Sequence, residues 1–424
     1  MKDFKECRLF SEYRLLYTST EEYPNSMRYM IKLNEKINLS SLTFAINMVQ
    51  KRYPYFCVEL KKDDNGFYFI KNDRGMKLEN INKNILLNSE ESNYHFISFQ
   101  YSDDNYIIIN VSHALTDGNG TYALIRTFLY YYITNAYNIE LSKDNIRLVG
   151  DEITEEELND PLLKLKNLNR PTQSNNSTSC LNIIKENNLE NQSKVVYHLS
   201  IDEKEFMEYA KSIKASPATL IVILLSKAIK KENANSTQPI RINLALDLRK
   251  ILNTPLAHQS LASGISFEYD DKLTNLSIED QIKALRTKVK ESLQEPKSLD
   301  FLSMSYFIQM MFLNEKDMNK IKQISAMFNS KSKEAFCGNV SYVGKANFGD
   351  AEKYITDFKA YASTHIPIMI MISAVNGKFY LDFMQNFEDE RYFKAFKEEL
   401  ENIKIKYEFK DLNKLELPKM KLII

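Results

Sequence analysis

The 424-residue chain has no tryptophan, only 10 glycines and 10 prolines, and four cysteines. Cys7, Cys57, Cys180 and Cys337 lie far apart and include no C-x-x-C pair. This argues against a disulfide framework and a structural zinc site, so a reducing compartment, the cytoplasm, is expected. Neither G-x-G-x-x-G nor a Walker loop is present, which disfavours dinucleotide and P-loop nucleotide binding. Charge of one sign is lacking too: Lys plus Arg and Asp plus Glu both number 56. With no long single-sign block, nothing marks a nucleic-acid or anionic-bilayer partner. The most apolar stretch, "ATLIVILLSKAI" from Ala218 to Ile229, contains Lys227 and falls short of the roughly 20 residues of a membrane span, so it reads as a buried helix. The opening "MKDFKECRLFSEYRLLY" alternates charged and apolar residues, has no signal-peptide core, and is expected to stay on the mature protein.

What is present is globular: 44% hydrophobic residues in a chain too long for one comfortable core, hence two domains. Strand-like and helix-like runs alternate irregularly, giving a mixed α/β chain and no regular βαβ barrel. Early helical spacing appears at Leu42, Phe44, Ala45, Met48 and Val49, ending before Pro54. Asn65-Gly66 and Asn376-Gly377 mark hairpins, and the first of these reads as a turn and not a calcium loop. Ser216 with Pro217 opens a helix, Ile278 to about Gln294 is amphipathic, more helix follows to about Ser330, and a last helix spans about Glu390 to Tyr407. Between Arg170 and Lys194 the chain turns polar. The division expected is therefore 1–175, a linker or crossover at 176–193, and 194–424.

One short motif carries chemistry. The run "HFISFQYSDDNYIIINVSH" holds two strand-like segments, the second ending at His113. From Gly120 onward Tyr122, Ile125, Leu129, Tyr132, Ile133 and Tyr137 share one helix face to about Asn138. His113-Ala114-Leu115-Thr116-Asp117-Gly118, an H-x-x-x-D-G, thus sits at a strand-to-helix junction. In the plainer reading Asp117-Gly118 is a turn and His113 a core residue ending a strand. A further glycine at 120 and the helix behind it go beyond what a hairpin requires, and a tight loop after a strand presents a side chain into a cleft. An imidazole with an ordinary pKa of about 6.5 accepts protons at neutral pH once its tautomer is held. Asp117 either supports that ring directly or braces the loop by pairing with an arginine elsewhere.

These residues resemble the acyltransferases of the chloramphenicol acetyltransferase-like superfamily. That superfamily includes the plant alcohol acyltransferases, the alcohol acetyltransferases and the condensation domains of nonribosomal peptide synthesis. His113 to Gly118 matches its H-x-x-x-D-G signature. "NLSSLTFAINMVQKRYPYF" is similar to its first helix, "LALDLRKIL" to its D-x-R segment and "NVSYVGK" to its S-N-x-G segment, in family order over most of the chain. The resemblance implies an α/β fold of two subdomains in a pseudo-dimer with a central tunnel. A pantetheine thioester and an acceptor nucleophile would enter it from opposite faces. It makes His113 the general base, places Asp117 and Gly118 beside it in the catalytic motif, has Asp117 braced by Arg249, and puts Ser341 near the oxyanion. No resident cofactor is implied: acyl-CoA or a carrier-bound thioester is a substrate, and an alcohol or amine the acceptor.

Two departures stand out. Tyr342 occupies the place of the family's asparagine, so an asparagine role is not carried over; the D-F-G-W-G motif is absent, "NFGD" at 347–350 being only an echo in a chain without tryptophan, which points away from the plant branch. The leading expectation is a CoA-dependent O- or N-acyltransferase. Beside it stand a freestanding condensation-type enzyme that docks an acyl or peptidyl carrier protein, and a non-catalytic binding protein on the same fold. His95, His198, His258 and His365 show no metal-ligand spacing and read as satisfied surface or junction residues, and Cys337 as core packing.

Overall fold

In the strand Tyr106–Ser112 every residue after the first is buried, as a central strand covered on both faces must be. The computed structural model, which describes residues 6–8, 13–63, 66–83, 85–167, 180–294 and 297–423, places it in the middle of a five-stranded sheet. The spatial order there is Ile355–Ala362, Ser26–Leu33, Tyr106–Ser112, Ile97–Tyr101 and Leu78–Asn80. Helix Leu39–Arg52, capped by the Asn38 side chain on Ser41 N–H, packs against helix Gly118–Tyr137. The two share one apolar core with the sheet. Val58–Asp63 and Gly66–Lys71 pair as a hairpin with Asp63 opposite Gly66; Asn65 lies outside the described residues.

The second lobe is a seven-stranded sheet. Its order is Ala262–Tyr269, Ile240–Asp247, Gly338–Lys345, Ile368–Val375, Lys378–Gln385, Val195–Asp202 and Glu408–Lys414. Asn376 and Gly377 both have positive φ between the paired residues Val375 and Lys378, which is the two-residue hairpin turn their identities favour. Helix Pro217–Glu232 buries Leu220 through Leu225, Ala228 and Ile229, each large side chain contributing about 1.5–3 kcal/mol by leaving water. The stretch at 218–229 is therefore core, and among the described residues no single helix is long and apolar enough to cross a membrane.

Three expectations need correction. The helical region after residue 294 is two helices, Lys297–Asn314 and Met318–Ala335. The last helix is Arg391–Asn402, shorter than its periodicity suggests. Glu408–Lys414 behind it is an edge strand whose charged residues, typical of protected edges, hide its alternation. Finally, a single cut at 176–193 does not separate the lobes. Strand Ile355–Ala362, from the second half, completes the first lobe's sheet, with Phe358 opposite Ile31 and Ala360 opposite Tyr29.

That exchanged strand is clamped to the second lobe. His198 Nδ1 lies 2.7 Å from Asp382 Oδ1, and its Nε2 lies 3.1 Å from Asp357 Oδ1 on the exchanged strand. Tyr106 Oη and Lys410 Nζ donate to Asp357 as well, and Ala360 N–H donates to Asp382. His198 is fully buried, so it is a buried ion-pair hub and not a surface residue. Burial opposes its charge, yet Asp382 and Asp357 outweigh that and raise its pKa from 6.5 to about 9. A raised folded-state pKa stabilises fully below the unfolded value and is lost as pH rises through the folded one. The urea midpoint is therefore expected to fall between pH 7 and 9.5, and His198→Asn to flatten that slope. A slope unchanged in the variant would show that the clamp is not its source.

Candidate active site

Strand Tyr106–Ser112 stops one residue before His113, whose N–H donates to Asn25 carbonyl at 2.7 Å. Five residues later the helix Gly118–Tyr137 begins. Asp117 is its N-cap: Oδ1 accepts the N–H of Asn119 at 3.1 Å and of Gly120 at 3.2 Å, where a carboxylate is favoured by orphan amides and the helix dipole. The same carboxylate takes Arg249 in a two-pronged pair, Nη2 to Oδ1 at 2.8 Å and Nη1 to Oδ2 at 2.9 Å, and Leu261 N–H at 2.9 Å. Both partners are buried. Burial alone would raise the Asp117 pKa; the Arg249 guanidinium reverses this and holds it below 3.8. Of the two roles open to Asp117, the geometry shows the brace.

A segment that sequence reasoning overlooked wraps this loop. Thr116 Oγ1 donates to His258 carbonyl at 2.6 Å, Arg249 Nη2 to Gln259 carbonyl at 2.9 Å, Ser260 Oγ lies 3.3 Å from His113 Nδ1, and Leu261 N–H reaches Asp117. Four consecutive residues, 258–261, thus hold four parts of the site. No sequence signal marks Ser260, about 150 positions from the histidine it touches. The His113 ring also hydrogen-bonds its own main chain. Nδ1 is the ring nitrogen placed against Ser260, and Nε2 has no hydrogen-bond partner among the described residues. Burial lowers the His113 pKa below 6.5, against a raising effect from Asp117, so the ring is a neutral acceptor at pH 7.

His113 is half-buried and lines a cavity of about 80 Å³ with Met27, Val343, Met369, Met371 and Ser341 among its walls. The cavity exists because two parallel strands part. Ile240–Asp247 and Gly338–Lys345 pair only through Gly338–Ile242, Asn339–Asn243 and Val340–Leu244. Beyond these, Ala245 to Asp247 on one strand and Ser341 to Val343 on the other face the gap. Gly118 leaves room here, since a Cβ on it would lie 2.6 Å from Val343 Cγ2. Gly118→Ala is expected to cost about 1–3 kcal/mol by overpacking, with Val343→Ala restoring the urea midpoint. If the double variant is no better than the single, Val343 is not the obstacle.

On the far side of Asn119 lies a cavity of about 600 Å³, lined by Arg126, Arg147, Arg249, Lys250 and Lys345 against one carboxylate, Asp247. Among the described residues Arg126 donates only to carbonyls, those of Asn347, Ala346 and Asn145, and no carboxylate pairs with it. His258 forms part of this wall. Its Nδ1 lies 2.7 Å from Glu157 carbonyl, its ring stacks on Tyr55 with centroids 4.4 Å apart, and burial lowers its pKa to about 4. Its ring is satisfied, and it is buried and not at the surface. Asn119 and Asp247 line both this cavity and the histidine cavity. A larger cavity of about 860 Å³, between helices Pro217–Glu232 and Ile278–Ser292, touches none of these residues.

No family model and no curated protein matches the chain. Solved structures do. Polyketide synthase associated protein 5 from Mycobacterium tuberculosis is 12% identical with a TM-score of 0.60, over 94% of this chain and 97% of that one. The condensation domain from Monacolin K polyketide synthase MokA is 12% identical, TM-score 0.60, over 94% and 96%. F. sporotrichioides TRI101, complexed with coenzyme A and T-2, is 10% identical, TM-score 0.56, over 95% and 99%. The likeness is one of fold: the two-lobed, chloramphenicol acetyltransferase-like α/β architecture.

Proposed function

We propose that the chain is an acyltransferase that moves an acyl group from a pantetheine thioester, such as acyl-CoA, to a hydroxyl or amine. The observation carrying this reading is His113, whose Nδ1 lies against Ser260 while Nε2 has no partner among the described residues, in a cavity between the lobes. In the proposed reaction Nε2 takes the proton from the acceptor O–H or N–H as that atom bonds to the thioester carbonyl carbon. The resulting oxyanion collapses, the C–S bond breaks, and the imidazolium returns the proton to the leaving sulfur. No acyl-enzyme is formed. Ser341 Oγ, on the cavity wall, is the hydroxyl offered to the oxyanion.

The cationic cavity supports a donor that ends in phosphate: Arg126 and Lys250 line it without a carboxylate partner among the described residues, while Arg147 is paired with Glu157 and Lys345 with Glu203. That chemistry is shared by coenzyme A and by the phosphopantetheine of a carrier protein. One of the solved structures of this fold was complexed with coenzyme A. The test is free-thiol release from a panel of acyl-CoAs and carrier-loaded thioesters, with alcohols and amines as acceptors. Turnover of free acyl-CoA supports the first form, and turnover of carrier-bound donors alone identifies the condensation-type enzyme. No thiol release from any donor would leave a binding protein on this fold.

A further inference from the structure

Asn119 and Asp247 come from different lobes, one in the first turn of the motif helix and the other at the end of strand Ile240–Asp247. Asn119 Nδ2 donates to Asp247 Oδ2 at 2.8 Å, and these are the two residues that line both the cationic cavity and the histidine cavity. Each is anchored from behind. Asn119 N–H is held by Asp117, and Asp247 Oδ1 accepts Arg249 N–H at 3.1 Å and Nη1 at 2.9 Å. Among the described residues, the remaining carboxylate oxygen and the carboxamide are tied only to each other. Asp247 is exposed to 39% of its side-chain surface, so parting them is a matter of rotamers.

We infer that Asn119 and Asp247 form a clamp for a secondary amide of the thioester arm, an inference that rests on the acyltransferase reading. The histidine cavity, about 80 Å³, does not hold a pantetheine arm while the bridge is closed. An arm crossing from the cationic side must part the two side chains, and a secondary amide is the group that repairs the loss. Its N–H replaces the Asn119 donor on Asp247 Oδ2, and its C=O accepts from Asn119 Nδ2. The crossing thus exchanges hydrogen bonds without leaving any unmade. An arm with an ester in place of the amide opens the same bridge, still accepts from Asn119 Nδ2, and leaves Asp247 Oδ2 without a donor. Asn119 and Asp247 are therefore specificity residues for an amide-bearing donor, acting on the arm and not on the reacting carbonyl.

The test compares two isosteric donors on the full chain: an acyl thioester of N-acetylcysteamine and the same acyl thioester of 2-acetoxyethanethiol, in which oxygen replaces the amide N–H. The wild type is expected to prefer the amide donor by about tenfold in kcat/KM. Asp247→Ala removes the acceptor of the amide N–H and is expected to lose most of that preference through KM for the amide donor, whereas Asn119→Ala, which removes only the donor to a carbonyl that both arms carry, is expected to keep it. Calorimetric titration with coenzyme A should show Asp247→Ala binding about tenfold more weakly. A wild type that turns over both donors equally, or an Asp247→Ala variant that keeps the amide preference and the affinity, would overturn the clamp. Failure of the wild type both to bind coenzyme A and to release thiol from any donor would instead strike the acyltransferase reading, and the clamp with it.

Discussion

Replacing His113 with alanine is expected to lower acyl transfer by about 10²- to 10⁴-fold, the range for a positioned general base, while the urea midpoint stays near that of the parent. The separation is expected because the half-buried ring contributes little packing and hydrogen-bonds Ser260 and its own main chain. The same proposal sets a pH profile. Burial depresses the His113 pKa below 6.5, so the base is competent above that value and is lost as pH falls through it. The acid limb of kcat/KM is expected below pH 6.5. A folded His113→Ala protein with full thiol release would refute the mechanism.

The largest stability effect is expected at Arg249. Arg249→Met removes the guanidinium from Asp117, Asp247 and the carbonyls of Ala257 and Gln259. Asp117 is then a buried carboxylate whose charge is supported only by the N–H groups of Asn119, Gly120 and Leu261. Breaking a buried pair from one side costs about 3–5 kcal/mol, read as a lowered urea midpoint. The sign with pH follows from linkage. With Arg249 present, Asp117 titrates below 3.8 and stabilises above that range. With it gone, burial raises the Asp117 pKa, so the deficit should be large at pH 7 and shrink toward pH 4. Adding Asp117→Asn to the Met variant should recover part of the loss by removing the orphaned charge. A small, pH-independent deficit would show that the pair is not what holds the loop.

Local features of the fold were legible because their causes are local. The strand ending at His113, the helix face from Tyr122 to Tyr137, the capped helix at Ser216 and the turn at Asn376-Gly377 each follow from period, cap or turn chemistry within a few residues. The Asp117–Arg249 pair, 132 positions apart, became an expectation only through the family resemblance. Periodicity passed over strand Ile355–Ala362, which is buried at all but one position and so shows no alternation. It also passed over the charged edge strand Glu408–Lys414. His198 looked ordinary because nothing near it in the chain reveals the carboxylates of Asp357 and Asp382.

By itself the sequence determined an α/β chain with cores in two lobes, and one histidine presented at a strand-to-helix junction, since hydrophobic spacing and turn chemistry act over one or two turns of chain. Tertiary structure alone decided the exchange of strand Ile355–Ala362 between lobes, the wrap of 258–261 around the motif, and the meeting of Asn119 with Asp247. It also decided where strands Ile240–Asp247 and Gly338–Lys345 stop pairing and open a cavity. These depend on register and lobe packing between residues often more than a hundred positions apart, and such contacts are specified by the whole core and not by any single segment of it.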